Sequence, residues 1–351
     1  LTLLFSTRSL KLGRIPDVHS IQDPSKMRDV ENVIPESSKH CRSFWRTLGY
    51  RSSKTKIPRG IRFKRYHMST KTGPNGHALW TSMVDLIEVL KDSNLRTSLE
   101  IIGGDKLKFN INNLSEYLQL FPRILFPVEG TTLRKLSYFP DKELKVRVVA
   151  ILDYWSQTAL RPFHNYLFEV LRKIPQDCTF NQGSALEKSK EWKYFYSYDL
   201  SSATDRFPIV VIENVLKGLL PDYFVQSWKY VMVGLPFRFK YKNETKFVSY
   251  STGNPMGAYS SWNSFSIAHH YILYWCCVEE GISWQTSKYT LLGDDILIGD
   301  HRLAKRYLEV MTLLGVEISS VKSHSSCKLY EFAKRIVFDG NEITPFPVSS
   351  L

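Results

Sequence analysis

Hydrophobic spacing divides most of the chain into short helices and strands. Leu79, Met83, Leu86, Ile87 and Leu90 repeat at helical spacing after Gly73-Pro-Asn-Gly76 and predict a helix. Leu144 to Leu152 alternates like a strand, which puts Lys145 and Arg147 on one face and valines and alanine on the other. A helix is expected over roughly Tyr154 to Lys173, with a kink at Pro162. Trp192 to Asp199 alternates again and ends in an acid. Ile209 to Leu219 returns to helical spacing, and Pro208 suits its first turn. Pro236 to Tyr250 reads as a hairpin with Asn243-Glu244 at its tip. The loop Ser251 to Gly257 leads into an aromatic helix, Ala258 to Val278. Lys288 to Asp300 reads as strand, turn, strand around Gly293-Asp294-Asp295. Leu303, Tyr307, Leu308, Met311 and Leu314 predict one more amphipathic helix, and Leu329 to Val337 a further strand. Residues 16–75 have weak periodicity, and residues 101–140 are mixed.

This order predicts an α+β fold, and 351 residues suit two or three subdomains. No apolar run reaches membrane-spanning length. The chemistry starts at the Asp294-Asp295 pair. Adjacent carboxylates repel, and a divalent cation reverses that cost because hard cations take carboxylate oxygens. An ordinary acidic turn has the same tripeptide, so a partner acid decides between the two. Asp199, at a strand's C-terminal end, is that partner, with Asp205 on the turn that follows. Strand-end and hairpin acids on neighbouring antiparallel strands can converge on two cations, an arrangement suited to in-line displacement at phosphorus. Lys145 and Arg147 could clamp a triphosphate; the same pair also fits the solvent side of an edge strand.

Charge adds a polyanionic partner. The formal net charge is +13, and residues 1–75 hold 16 Lys/Arg against 5 Asp/Glu, whereas the remainder holds 31 against 29. Between Arg51 and Lys71 there are eight Lys/Arg and no acid, interleaved with Ile57, Ile61, Phe63, Tyr66 and His67. Cations for phosphates and rings for bases describe a nucleic-acid-tracking groove; a loosely packed basic surface or solvated tail has the same composition. Five unpaired cysteines without CxxC spacing indicate a reducing compartment. His269, His270, Cys276 and Cys277 sit together in an aromatic helix, a context that favours packing over metal. Leu1 to Ile15, basic and free of acids, faintly resembles a mitochondrial transit peptide.

Several motifs, in order, resemble viral RNA-dependent RNA polymerases, most closely the mitovirus and narnavirus-like group. Lys145-Val-Arg-Val-Val-Ala-Ile-Leu-Asp-Tyr-Trp-Ser-Gln157 resembles their basic fingers motif, and Asp199-Leu-Ser-Ser-Ala-Thr-Asp-Arg206 their first palm motif. Gly253-Asn-Pro-Met-Gly-Ala-Tyr-Ser-Ser-Trp262 is similar to the template- and sugar-sensing loop, and Gly293-Asp-Asp295 to the polymerase signature. Val316 to Ser323 and Glu331 to Arg335 resemble the two palm motifs that follow. Arg65 to Gly76 and Asp177 to Gln182, outside this core, also look mitovirus-like.

The resemblance implies a right-hand polymerase fold with an antiparallel palm sheet packed on helices. Its parts would be a basic N-terminal segment (1–75), fingers (76–190), first palm motif (191–207), fingers insertion (208–250) and palm (251–340). The start of a truncated thumb would occupy 341–351, and the thumb would be largely absent, since 16 residues follow Arg335. It also implies Asp199 and Asp294, supported by Asp295, as ligands of two Mg2+ or Mn2+ ions. Asp205 would read the ribose, Lys145 and Arg147 would hold the triphosphate, and Lys322 would be the general acid for pyrophosphate. Gly253, Ser261 and Asn263 would complete the nucleotide site, Gly257 and Ser261 standing where many relatives have Thr and Asn. Which residue pairs with Asp205 stays open. Arg59, Arg62, Lys64 and Arg65 would contact RNA, and Lys334 and Arg335 the primer or product strand. The implied partners are RNA and ribonucleoside triphosphates, with no obligate protein partner, in a host mitochondrion. A reverse transcriptase fits less well, with Leu292 near a usually aromatic position. An inactive RNA-binding remnant is the non-enzymatic alternative.

Overall fold

Two four-stranded sheets, joined through one large apolar core, place the candidate residues in the computed structural model, which describes residues 15–120, 130–141 and 145–345. Most of the transit-like start, Lys142 and the last six residues of the expected thumb segment lie outside the described residues.

The region without clear periodicity folds first along the chain. It contains α1 (His19–Gln22), α2 (Val30–Lys39) and α3 (Cys41–Thr47). Val33, Cys41, Phe44 and Trp45 are buried. The Trp45 indole donates to the Val215 carbonyl at 2.6 Å, and Phe44 packs edge-on against Tyr271, Tyr274 and Trp284. Within the basic segment, α2 and α3 therefore contribute to the core and are not a solvated tail. α1 and α3 are too short to establish a period, and Pro35 inside α2 interrupts its pattern.

The chain continues through β1 (Thr72–Gly73), β2 (Gly76–His77), α4 (Ser82–Lys91), α5 (Ser93–Gly103) and α6 (Asp105–Leu120). Asp92 caps α5 by accepting from the Leu95 amide at 2.8 Å, and Leu95, Leu99, Ile102, Leu107 and Ile111 fill the core. Next come β3 (Arg134–Pro140), β4 (Val146–Leu152) and α7 (Tyr154–Leu171), which Asp153 caps through the Ser156 amide at 2.8 Å. Pro162 lies inside α7 without ending it. The buried Arg134 guanidinium ties this corner together, bonding Asp153, the Ser156 hydroxyl and the Val231 carbonyl.

After β5 (Phe195–Asp199) and the single turn α8 (Ala203–Arg206), the chain runs through α9 (Ile209–Lys217) and α10 (Asp222–Val233). It then adds β6 (Phe237–Tyr241) and β7 (Glu244–Val248) to the earlier sheet, whose order is β4-β3-β6-β7. The β6–β7 turn is Lys242-Asn243, one residue before the expected tip, with Lys242 at φ 52°. β6 thus pairs in parallel with β3, through Lys135–Arg238 and Leu136–Phe239, although β5 lies between them in the chain.

The second sheet is antiparallel, in the order β10-β5-β9-β8, from β8 (Tyr289–Leu292), β9 (Asp295–Ile298) and β10 (His324–Ser326). Against it lies α11 (Ser261–Glu279), buried nearly all round as its aromatic sequence requires, and beyond it α12 (His301–Leu313). Burial pushes the Cys41 and Cys277 thiols up to about 12, so these cysteines act as core side chains. Leu329 to Val337 is not one strand. It folds back as β11 (Leu329–Phe332) and β12 (Arg335–Phe338), because Ala333 and Lys334 both adopt left-handed backbone, φ 53° and 64°. Among the described residues, no helix is long and apolar enough to cross a membrane.

Candidate active site

Pairing register brings the three acids together. Asp199, the last residue of β5, lies directly across from Asp295, the first of β9. Leu292 pairs with Asp295 on the other side, which leaves Gly293-Asp294 as a two-residue turn. Gly293 has φ 63°, the positive value needed at the first position of a II′ hairpin turn, and an added Cβ would also meet the Trp262 ring. Asp294 therefore stands at the tip.

Buried rings hold this turn from behind. His269 Nδ1 lies 2.8 Å from the Gly293 carbonyl, and Nε2 lies 2.7 Å from the Tyr307 hydroxyl. A carbonyl only accepts, so Nδ1 carries the proton and Nε2 accepts from Tyr307. Burial lowers the His269 pKa to about 3, so the ring is neutral. Tyr307 stacks at 6.0 Å on Tyr198, the residue before Asp199. The packing role expected of His269 is correct, and it carries a specific bond that spacing does not reveal. His270 likewise packs, between Asp177 and Tyr289.

The electrostatics resemble a site built for added positive charge. Burial pushes Asp295 up to about 7, with Asp294, Asp199 and Glu331 adding to the shift. Burial also raises Asp294, reinforced by Asp199 and opposed by its own backbone amide, Lys322 and Arg147. Lys322 Nζ donates to Asp199 Oδ2 at 2.7 Å. Ser319 and Ser323 clasp the same residue through its backbone, so the segment after α12 wraps the end of β5. A half-buried, all-carboxylate donor set fits a hard divalent cation. Among the described residues, the one trio of ligand atoms mutually within 4.8 Å is elsewhere, at Glu36, His40 and Glu279. Lys39 and Arg306 pair with its two glutamates. The three aspartates are more widely spread than that trio.

A second cluster surrounds Asp205. Gly253 packs so closely that a Cβ would overlap the Thr204 carbonyl and the Asp205 backbone. The Asn254 amide donates to the Thr204 carbonyl at 2.8 Å, and its side chain donates to the Ser261 carbonyl at 3.1 Å. Burial pushes Asp205 up to about 6, opposed by a hydrogen bond from Ser20 and the charge of Arg206. The buried Ser261 hydroxyl, Asn254 Oδ1 and Asn263 Oδ1 lack partners among the described residues. Burial raises the Tyr250 hydroxyl well above its usual pKa, with Asp205 adding to the shift and a hydrogen bond to the Met256 backbone opposing it. Asn263 is used elsewhere: fully buried, it donates to the His164 carbonyl at 2.6 Å on α7. Asn254 and Tyr250 were not singled out by the sequence reading, although both flank Gly253.

The basic residues divide in the same way. Arg147 is ion-paired with Asp141 on the exposed side of β4, and its charge reaches Asp294. Lys145 is exposed just before β4. The Ala150 amide bonds the Met256 carbonyl at 2.7 Å, which fixes β4 to the loop that carries Gly253. Arg59, Lys64 and Arg65 are exposed, whereas Arg62 is half-buried and donates to the Ile101 carbonyl. Lys334 is exposed at the β11–β12 turn, and Arg335 pairs with Glu342 at 3.4 Å.

Comparison with known proteins agrees with this geometry. The family model for the mitovirus RNA-dependent RNA polymerase matches residues 60–351. The chain is 31% identical over 354 residues to the RNA-directed RNA polymerase of Cryphonectria parasitica mitovirus 1, spanning 96% of this chain and 42% of that protein's length. Uncharacterized mitochondrial protein AtMg01410 of Arabidopsis thaliana is 34% identical over 157 residues, 43% of this chain and 76% of that one. In fold, the RNA-dependent RNA polymerase of a human picorbirnavirus superposes with a TM-score of 0.56 at 10% identity, over 91% of this chain and 59% of that one. The architecture is the α+β right-hand polymerase fold, and the chain belongs to the mitovirus RNA-dependent RNA polymerase family.

Proposed function

We propose that the chain carries the catalytic region of an RNA-templated RNA polymerase, which joins ribonucleoside triphosphates to an RNA 3′-hydroxyl and releases pyrophosphate. The observation that carries this reading is the register of Asp199 opposite Asp295, beside a turn that presents Asp294. Asp199 and Asp294, supported by Asp295, would hold two Mg2+ or Mn2+ ions, which supply charge neutralisation and activation of the attacking hydroxyl. The protein's own residues position and neutralise. Arg147 and Lys145 face the triphosphate. Lys322, which pairs with Asp199, would donate a proton to pyrophosphate. Asp205 accepts from the ribose 2′-hydroxyl, the group that separates RNA precursors from DNA precursors. In this reading the β10-β5-β9-β8 sheet is the palm. Residues 208–250 belong with the fingers, consistent with β6 pairing to β3. A mitochondrial setting follows from the relatives' names.

Primer extension on an RNA template with Mg2+ or Mn2+ tests the proposal. The wild-type chain is expected to incorporate nucleotides and Asp294→Asn to lose incorporation by at least a hundredfold, on the scale of lost transition-state charge stabilisation. Equal incorporation by both proteins overturns the assignment. RNA binding by both, with incorporation by neither, leaves an RNA-binding protein.

A further inference from the structure

The N-terminal segment reaches the sugar-reading residue directly. Ser20, 185 residues before Asp205, donates its hydroxyl to Asp205 Oδ2 at 2.8 Å. This contact sits in a docked strap. Val18 and Ile21 are buried in the core. The Arg206 guanidinium donates to the Asp23 and Pro24 carbonyls at 2.7 and 2.8 Å. The Ser251 amide and hydroxyl both bond the Ile21 carbonyl at 3.1 Å, and Thr252 reaches the Asp23 carbonyl at 3.3 Å. The strap therefore grips the Asp205 turn and the Gly253 loop together. Farther along, Lys26 pairs with Glu317 at 2.6 Å, and the Arg28 amide bonds the Leu313 carbonyl at 2.8 Å.

We propose that Ser20 is a positioning residue that sets the Asp205 carboxylate for ribose selection. The inference rests on the polymerase reading above and goes beyond it by assigning a specificity role to the segment before the fingers. A half-buried carboxylate on a two-torsion side chain can rotate, and a fixed donor on Oδ2 selects one orientation and so sets the position of Oδ1. A hydroxyl suits this task because it holds the oxygen without cancelling the charge, as a lysine would. Asp205 stays an acceptor for the sugar hydroxyl. The strap supplies rigidity, since Arg206, Ser251 and Thr252 hold the backbone on both sides of Ser20 to the elements that carry Asp205 and Gly253.

The test compares the full chain with Ser20→Val, which removes the hydroxyl, and Ser20→Thr, which has the shape of valine but keeps the hydroxyl. Steady-state primer extension gives kcat/KM for ATP and for 2′-dATP. Displacement of a fluorescent ATP analogue by the same two nucleotides, in Mn2+, gives binding without turnover. Ser20→Val is expected to lower the ribose preference about tenfold, the scale of one hydrogen bond to a charged group. The loss falls on KM for ATP, while values for 2′-dATP stay unchanged. Ser20→Thr keeps the wild-type preference. An unchanged preference in Ser20→Val overturns the proposal, and so does an equal loss in Ser20→Thr, which would mark the segment as merely structural. If the wild-type chain incorporates nothing, the polymerase reading fails on its own, and the displacement ratios still decide the role of Ser20. Equal wild-type affinity for ATP and 2′-dATP overturns it as well.

Discussion

His269→Phe isolates what holds the Gly293-Asp294 turn. Phenylalanine keeps the ring and its place in the stack but loses both nitrogens. The Gly293 carbonyl loses its donor and the Tyr307 hydroxyl its acceptor, and all three residues are buried. Each stranded buried group costs roughly 1–3 kcal/mol, so a destabilisation of about 3 kcal/mol is expected in urea unfolding. Tyr307→Phe is the matched control. It removes the hydroxyl, leaves the Nδ1–H bond to Gly293 intact, strands only the His269 Nε2, and is expected to cost roughly 1–3 kcal/mol. The functional effects should separate further. A turn free to relax by a few tenths of an ångström misplaces Asp294, so His269→Phe should lower kcat about tenfold or more, with RNA affinity unchanged. Tyr307→Phe should stay within about twofold of wild type on the same reasoning.

Burial keeps His269 neutral, with a pKa of about 3, so the difference between the two variants should not vary between about pH 6 and 9. Wild-type kcat in a destabilised His269→Phe would refute the positioning argument and reduce His269 to core packing. Equal kcat losses in both variants would shift the effect to the ring stack, away from the carbonyl bond. The unfolding measurements stand whether or not the chain copies RNA.

Three other expectations follow from groups outside the acidic hairpin. Arg134→Met strands the buried Asp153 and should cost about 3–5 kcal/mol in urea unfolding, with partial recovery in Arg134→Met/Asp153→Asn; no recovery would mean that the charge is not what matters. Asp85 has its pKa raised from 3.8 to about 7 by burial and the nearby Asp153, so the folded state binds the extra proton and stability should fall as pH rises through that window. The fall attributable to Asp85 is at most on the order of 4 kcal/mol, and subtracting the pH profile of Asp85→Asn should reveal it; parallel profiles would refute the assignment. Replacing the exposed Arg59, Lys64 and Arg65 by Gln should reduce the slope of log K for single-stranded RNA against log salt by about 2, whereas Arg62→Gln should lower stability and leave the slope nearly unchanged.

The contrast between Arg62 and its neighbours shows where a sequence stops being readable. Local geometry was legible: the apolar runs on either side of Gly293 predicted both strands, and a two-residue turn follows from strands of that register. Likewise Ile209–Lys217, Ser261–Glu279 and His301–Leu313 lie where helical spacing places them. The hairpin at Ala333-Lys334 was missed because neither residue normally marks a left-handed turn, α1 and α3 because each is too short for a visible period, and α2 because Pro35 lies inside it. Arg134 stands among the chain's other cations in the sequence, but its guanidinium is the buried centre of a corner assembled from β3, the cap of α7 and the end of α10.

The candidate site follows the same division, for a physical reason. An acid's presence is encoded at one position, but its function depends on what its oxygens bond, and those partners come from far along the chain. Asp199 meets Lys322 across 123 residues, Asp205 meets Ser20 across 185, and Asn263 meets His164 across 99. Asn263 and Asn254 stand alike here: each donates its side-chain amide to a backbone carbonyl and leaves a buried Oδ1 without a partner among the described residues. Partnerless buried atoms are costly in a finished core, and their clustering around one loop is what a site completed by ligand or water requires. Under the polymerase reading, Asn254 therefore joins the motif-selected Asp205, Gly253, Ser261 and Asn263 around the proposed sugar site. Asn254→Ala should consequently lower nucleotide affinity in the displacement assay, and an affinity equal to wild type would remove Asn254 from that site.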